Sequence, residues 1–428
     1  MLKQKIENRS AHVGIIGLGY VGLPLALRFS AVGFKVTGLD VDANKPKSLA
    51  AGHSYISHIQ DGEIHSANND GFHATTDYDV VSDLDVIIIC VPTPLTSDRE
   101  PDLQFIRGTM ESLLPNLRKN QLICLESTSY PGTTDEEIKD KVEAAGFSVG
   151  ENIFVAFSPE REDPGNSEFS ISTIPKIVSG CTNACKDLAI NLYKAAVKTV
   201  VPVSSTRVAE AAKLLENIHR AVNIGLVNEM KMVTDAMDID IYEVIEAASS
   251  KPFGFTPYFP GPGLGGHCLP IDPYYFSWKA RQHGIDSEFI RLAGEVNSEM
   301  PAWVVGKVIL ALDPKPINEC QVLVIGAAYK KNISDTRESP AMEIMDQLIR
   351  LGANVAYHDP YVPILPPMRK YNLELQSIDC DQETLSQADV VIIATNHDNL
   401  DYELILKHSN LIVDTRGVYK SGSKVVSA

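Results

Sequence analysis

The run VGIIGLGYVG at residues 13–22 restricts the possible folds of this chain more than any other stretch. A short apolar segment ends in Gly17, Gly19 and Gly22, and LPLALRFSAVG follows with helical composition and a stop at Gly33. Strand, glycine turn and helix in that order open a dinucleotide-binding unit. A second apolar run, KVTGLD, closes on Asp40, 18 residues beyond Gly22, close to where such a unit places the acid that holds a ribose. Glycines let a pyrophosphate approach the helix N-terminus, where free amides and the helix dipole favour negative charge. Gly17, Gly19, Tyr20, Val21 and Gly22 are therefore the expected cradle. A carboxylate at Asp40 would repel a 2′-phosphate, so NAD is expected over NADP.

Apolar runs recur at the intervals of a parallel sheet: DVIIICVPTP (85–94), QLICLEST (121–128) and IFVAFSPER (153–161). Ligands gather at the C-terminal ends of such strands, which places Thr93, Thr128 and Glu160 at a cofactor crevice. For either threonine alone, a turn or helix cap explains the residue equally well. Near the other end, QVLVIGAAYKKN (321–332), ANVAYHDPYV and DVVIIATNHD (389–398) repeat the pattern without the full glycine fingerprint. This second, degenerate unit offers Lys330, Lys331, Arg337 and Arg416 near strand ends, which suits a diphosphate. An ordinary surface lysine is the better reading of Lys331.

Between these units the alternation stops. From about Thr206, RVAEAAKLLENIHRAVNIGLVNEMKMVTDAM runs without proline and with one glycine, which predicts a long helix. Its apolar residues (Val208, Leu214, Leu215, Ile218, Val222, Leu226, Val227, Met230) spread around the circumference and predict burial on several sides. Lys213, Asn217 and Arg220, four and then three apart, form one polar stripe. A solvated face is the plain reading, but a lysine on a buried helix needs a partner or a use. Further helix is expected over 274–312, and DPKP then marks a linker. The expected architecture is α/β: two Rossmann-like doubly wound parallel-sheet domains (1–203 and 315–428) joined by a long-helix central domain (204–314).

The loop GPGLGGHCLPIDPYY, residues 261–275, sets Cys268 behind a run of glycines and four residues ahead of Asp272. Glycines allow sharp turns and close ligand approach, and a thiol there is a candidate nucleophile if its thiolate is stabilised. Most cysteines are small buried hydrophobes, and only the surrounding pattern lifts Cys268 above that reading. His267, its neighbour, points elsewhere in extended chain, so activation by Lys213 is preferred over a Cys/His pair.

A net charge of −17 argues against a nucleic-acid surface but leaves room for an anionic small ligand, which needs only a few local cations. No apolar run approaches a membrane span, and the polar opening MLKQKIENRS lacks a signal peptide's apolar region, so a cytoplasmic location is expected. Seven scattered cysteines read as reduced thiols. Cys181 and Cys185 lack a second ligand pair and read as structural, so no metal is expected.

Taken together, GLGYVG, VPTP, STSYPGTT, SPERE, EAAKLLENIHRAVNIGLVNE, GPGLGGHCLPIDP and YKKNISDTRES resemble the nucleotide-sugar 6-dehydrogenases, over nearly the whole chain. The UDP-glucose enzymes of that family typically carry NPEFL and a CFxKD-like run where this chain has SPER and HCLPID. Those departures resemble the N-acetylhexosamine branch. KPFGFTPYFPGPG is similar to the UDP-N-acetylglucosamine 6-dehydrogenases rather than to the mannosamine enzymes. The mannosamine and galactosamine epimers and UDP-glucose remain alternatives.

The resemblance implies oxidation of the sugar C6 hydroxyl to a carboxylate with two NAD, through a thiohemiacetal and a thioester on Cys268. It implies Lys213 and Asn217 as oxyanion donors, and Asp272 or Glu160 as base for a water positioned by Thr128. Arg161, Glu162, Arg220 and Gly265 would meet the sugar nucleotide; Tyr329, Lys330 and Arg416 its UDP; Arg337 the cofactor. A homodimer or higher homo-oligomer, with dimer contacts in the central domain, is implied as well. More distant alternatives are a two-electron hydroxyacid-type dehydrogenase, indifferent to loss of Cys268, and a non-catalytic NAD-binding protein.

Overall fold

The computed structural model describes residues 1–56, 59–96, 98–161, 169–266, 269–368, 370–420 and 422–428. The chain separates into two compact units, one of residues 1–216 and 274–285, the other of 217–273 and 286–428. Cys268 and Glu162, both expected site residues, lie outside the described residues, as does His267.

In the first unit the strands are β1 (His12–Ile16), β2 (Lys35–Leu39), β3 (His73–Thr75), β4 (Val86–Ile89), β5 (Leu122–Leu125), β6 (Phe154–Phe157), β7 (Lys176–Gly180) and β8 (Val200–Pro202). They form a sheet of order β3-β2-β1-β4-β5-β6-β7-β8, parallel except where β6 meets β7. The strands are short and rich in Val, Ile and Leu, as a sheet covered on both faces requires. Helices Gly22–Ala31 and Asn183–Ala196 bury Leu23, Leu25, Phe29, Leu192 and Tyr193 in the core with Val13, Ile15, Val36 and Ile88. The strand order reverses between β1 and β4, so the glycine turn after β1 faces the chain leaving β4 across the crevice where such sheets bind ligands.

In the second unit β9 (Gln321–Ile325), β10 (Asn354–His358), β11 (Val390–Ile393), β12 (Ile412–Asp414) and β13 (Val425–Ser427) pair in parallel in the order β10-β9-β11-β12-β13. Val322, Val324, Ile344, Met345 and Ile392 build one side of its core, and Leu323, Ile325, Val391 and Ile405 the other. Two parallel sheets, of eight and five strands, with a long-helix region between them in the chain are the expected fold class.

The long helix runs Thr206–Asp235, and the division between units falls within it, after Glu216. In the second unit it packs on helix Glu288–Leu312, and its one glycine marks the crossing. A Cβ on Gly225 would lie 3.2 Å from both Cα and Cβ of Ala293. Asn228 donates to Asn297 at 2.8 Å, and Asn297 donates to the Ala221 carbonyl at 3.1 Å.

Two expectations need correction. The helix expected over 274–312 is divided into Asp272–Gln282 and Glu288–Leu312, interrupted where Gly284 adopts φ +74°. Nor are all the apolar residues of the long helix buried within the chain: Leu214 is buried and Ile218, Val222 and Val227 are half-buried, but Val208, Leu215, Leu226, Met230 and Val233 are exposed. The face turned inward carries Glu210, Lys213, Asn217, Asn228 and Lys231, all buried. Five buried polar side chains beside Ala209, Leu214 and Ala221 are more than a helix in a self-contained core carries.

Candidate functional site

At the first glycine turn, Gly17 takes φ +89° and donates to the Leu39 carbonyl at 2.8 Å. A Cβ there would lie 2.5 Å from the Cys90 carbonyl oxygen, and one on Gly22 only 1.8 Å from that of Gly17. A Cβ on Gly19 would meet nothing, which leaves that side of the turn open to a ligand at the start of helix Gly22–Ala31. Tyr20 and Val21 are half-buried beside it. Asp40, at the end of β2, accepts from the Leu18 amide at 2.8 Å and from Lys45 at 2.7 Å. Thr93, beyond β4, is buried, and Thr128, beyond β5, is partly exposed. These residues suit a dinucleotide: close backbone, a helix N-terminus and an acid at the second strand.

Next in the first unit stand Glu160 and Arg161, at the end of β6. Glu160 lies 3.8 Å from the ammonium of Lys213, which is 5% exposed on the long helix. Burial raises the Glu160 pKa, against the pull of Lys213 and of Lys176. Arg161 pairs with Glu216 at 2.7 Å and donates to the Pro175 carbonyl at 2.6 Å.

The rest belongs to the second unit. Asn217, one helical turn after Lys213, donates to Asp272 at 2.5 Å, and both are buried. An amide has two protons, so one remains for a further acceptor. Arg220, the third residue of the stripe, is exposed. Gly261 donates to Asn228 at 3.0 Å and Gly266 to the Arg337 carbonyl at 3.1 Å, fixing the glycine loop up to the cysteine. Gly265 packs so tightly on Tyr329 that a Cβ would approach it to 2.4 Å. Tyr329 and Lys330 are half-buried. Arg416 follows β12, donates to the Ala394 carbonyl at 2.7 Å and has its pKa lowered by burial. Arg337 is exposed and paired with Asp335 at 2.7 Å, while Lys331 reaches Asp398 at 3.0 Å on the surface.

Sequence reasoning passed over a buried group beside Glu160. Lys176 donates to Glu126 at 2.5 Å, Tyr193 donates to the other oxygen of Glu126 at 2.5 Å, and Cys124 lies 3.2 Å from the Tyr193 hydroxyl. Glu126 had a signal, a carboxylate directly after an apolar strand; Lys176 and Tyr193 had none. Glu210 was passed over too. It accepts from the amides of Gly132 and Thr134 at 2.6 and 2.8 Å, and so ties the long helix to the loop that follows Thr128.

Comparison with known proteins agrees with this geometry. Residues 11–197, 207–299 and 323–421 match, in turn, the NAD-binding, central and UDP-binding domains of the UDP-glucose/GDP-mannose dehydrogenase family. A UDP-N-acetyl-D-glucosamine 6-dehydrogenase of Pseudomonas aeruginosa is 34% identical over 84% of this chain and 85% of its own. A UDP-N-acetyl-D-mannosamine dehydrogenase of Pyrococcus horikoshii is 32% identical over 95% of this chain and 96% of its own. The solved structure of a UDP-D-ManNAc dehydrogenase from the latter organism superposes with a TM-score of 0.86 at 31% identity, covering 96% of each chain.

Proposed function

The chain belongs to the UDP-glucose/GDP-mannose dehydrogenase family and is an NAD-dependent nucleotide-sugar dehydrogenase, and from that premise we propose that it oxidises C6 of a UDP-N-acetylhexosamine to the carboxylate. The observation that carries the proposal is the inward polar face of the long helix, where Lys213 and Asn217 are each buried and each matched to a carboxylate. Two buried donors on adjacent turns are costly for stability and useful to an oxyanion.

NAD, when bound, supplies the acceptor for each of the two oxidations. The Gly17–Gly22 turn brings backbone amides to its pyrophosphate, and Asp40 holds its ribose. Thr93 and Arg337 are assigned to the same cofactor, and Thr128 to both cofactor and water. Cys268 attacks the intermediate aldehyde, tethering it between oxidations, and is released when water attacks the thioester. Lys213 and the free amide proton of Asn217 stabilise the oxyanions. Glu160 takes a proton from the attacking water; its raised pKa places a base nearer neutrality than an ordinary carboxylate. Asp272 orients Asn217 and is the alternative base. Arg161, Glu162, Arg220 and Gly265 are assigned to the sugar nucleotide, and Tyr329, Lys330 and Arg416 to its UDP.

UDP-N-acetylglucosamine is the first reading of the substrate, from the KPFGFTPYFPGPG segment and the Pseudomonas relative. UDP-N-acetylmannosamine is the second, favoured by the Pyrococcus relative and its structure. Initial rates of NADH formation with the glucosamine, mannosamine and galactosamine nucleotides and with UDP-glucose decide. The expected result is a preference of at least about 10-fold for the glucosamine epimer, some 1.4 kcal/mol. A mannosamine preference moves the substrate, and no NADH with any of them sinks the reaction. The exposed apolar face at Leu226, Met230, Val233 and Met237 supports a homodimer, which light scattering at micromolar concentration tests.

A further inference from the structure

The buried cluster beneath Glu160 has no part in the reaction as assigned above. Glu126, Glu160, Arg161, Lys176 and Tyr193 line one pocket of the first unit, closed by Val21, Leu25, Ile171, Ile174 and Val197. Lys176, at the start of β7, donates to Glu126 at 2.5 Å, and its ammonium lies 5.3 Å from the centre of the Tyr193 ring. Tyr193, fully buried, donates its hydroxyl to the second oxygen of Glu126 at 2.5 Å. An ion pair in such a place gains little stability over apolar side chains of the same size, because desolvation offsets the attraction. Its distinctive property is the field it casts on neighbouring groups.

The neighbour is Glu160. Among the described residues, the charged and titratable groups facing it include Lys213 and Glu216 from the long helix, Lys176 from β7, Glu126 from the end of β5, Cys90 from the chain after β4 and its neighbour Arg161. Glu216 is neutralised by Arg161 at 2.7 Å. Lys213 lies at 3.8 Å, longer than a hydrogen bond, and is also required by the oxyanion. Of the two lysines, Lys176 is the one without that duty.

We propose that Lys176, held by Glu126 and Tyr193, is a positioning residue that sets the ionisation of Glu160 and thereby the pH at which the attacking water can be deprotonated. The proposal rests on the assignment of Glu160 as that base. Lys176 acts only through Glu160, and Glu126 moderates it: the anion cancels part of the lysine's field, and the Tyr193 hydroxyl withdraws part of the anion's.

The consequences differ in sign. Removing the cation in Lys176→Met raises the Glu160 pKa, so the acidic limb of the kcat profile moves to higher pH by about 1–2 units. Removing the anion in Glu126→Gln frees the lysine's field, and the limb moves to lower pH. Lys176→Arg keeps the charge and returns the limb to within about 0.3 units of wild type. A purely structural role would lower kcat at every pH and move no limb.

The experiment is the pH dependence of kcat from pH 5 to 9, with whichever UDP-N-acetylhexosamine the enzyme oxidises, for wild type, these three variants, Tyr193→Phe and Glu160→Gln. Tm and NAD affinity are measured alongside. Should Glu126→Gln fail to fold, the upward shift of Lys176→Met and its rescue by Lys176→Arg carry the test, with Tyr193→Phe read beside them. Loss of the hydroxyl returns charge to Glu126, so the limb is expected to move upward slightly. Opposed shifts for Lys176→Met and Glu126→Gln, with rescue by arginine, support the proposal. An unmoved limb in Lys176→Met, while Glu160→Gln loses turnover, overturns it and leaves the base assignment standing. A Glu160→Gln enzyme with wild-type turnover and limb overturns the base assignment itself.

Discussion

Gly17 and Gly326 hold the same place in their sheets: each follows the strand at which the order reverses, with φ +89° and +88°. Each donates at 2.8 Å to the residue before an aspartate, Leu39 and His358 respectively. The aspartates, Asp40 and Asp359, both accept from the glycine turn, through the amides of Leu18 and of Ala327 and Ala328. There the likeness ends. Asp40 keeps a partly exposed lysine as partner. Asp359 is closed in by His397 at 3.0 Å and by the amides of Tyr361 and Val362, with both ring and carboxylate fully buried. In the first unit a helix starts at Gly22; in the second the next helix starts only at Pro340, and Lys330 and Lys331 fill the interval. One turn thus leaves its acid against a single partly exposed lysine, and the other has closed its acid into the structure.

The sharpest break of the first turn is Gly22→Val, whose Cβ would sit 1.8 Å from the Gly17 carbonyl oxygen. NAD affinity measured by calorimetry is expected to fall by about 100-fold or more, some 3 kcal/mol.

The two aspartates should separate next. Asp40→Ser is expected to weaken NAD by about 10-fold and to narrow its advantage over NADP, since the group repelling a 2′-phosphate is gone. Asp359→Asn should leave the KM for NAD unchanged and lower Tm. Burial pushes the Asp359 carboxyl up, but His397 and the surrounding amides outweigh it and hold its pKa below the ordinary value. Its contribution to stability is therefore present above the unfolded pKa and lost as pH falls through the folded one. Denaturant titrations between pH 5 and 3 should show that loss in wild type and not in Asp359→Asn. A change of cofactor preference in Asp359→Asn would break the comparison.

A smaller effect concerns a buried cation of the second unit. Lys231 donates to the carbonyls of Thr415 and Ala428, and burial lowers its pKa to about 7, with Arg416 adding to the effect and Asp414 opposing it. A base whose pKa falls on folding is protonated in the unfolded chain and not in the folded one between the two values. Stability attributable to Lys231 therefore rises with pH above 7, by at most about 1.4 kcal/mol per unit. Urea titrations at pH 7 and 9 should show Lys231→Met losing ground against wild type at the higher pH.

Much of this was legible in the chain itself. The glycine turn, both sheets, the acid at Asp40 and the long helix follow from local pattern, because strand runs, glycine spacing and helical composition are written within a few residues of where they act. What escaped depends on distance along the chain. Glu126, Lys176 and Tyr193 meet from three elements, and nothing near Lys176 marks it as the partner of a glutamate fifty residues earlier. The polar residues on the buried face of the long helix escaped for another reason. Periodicity says that two faces differ but not which one turns inward, and here the buried face carries Lys213 and Asn217. The break at Gly284 is visible as a glycine, yet one glycine inside a helical pattern is often tolerated.

The account turns on one chain carrying out both oxidations at a single cysteine. The measurement that tests this most directly is the NADH formed per molecule of limiting UDP-N-acetylhexosamine, for wild type and for Cys268→Ser. Two NADH per sugar in wild type, with loss of acid production in Cys268→Ser, is the predicted result; one NADH per sugar, or undiminished acid formation without the thiol, would contradict it.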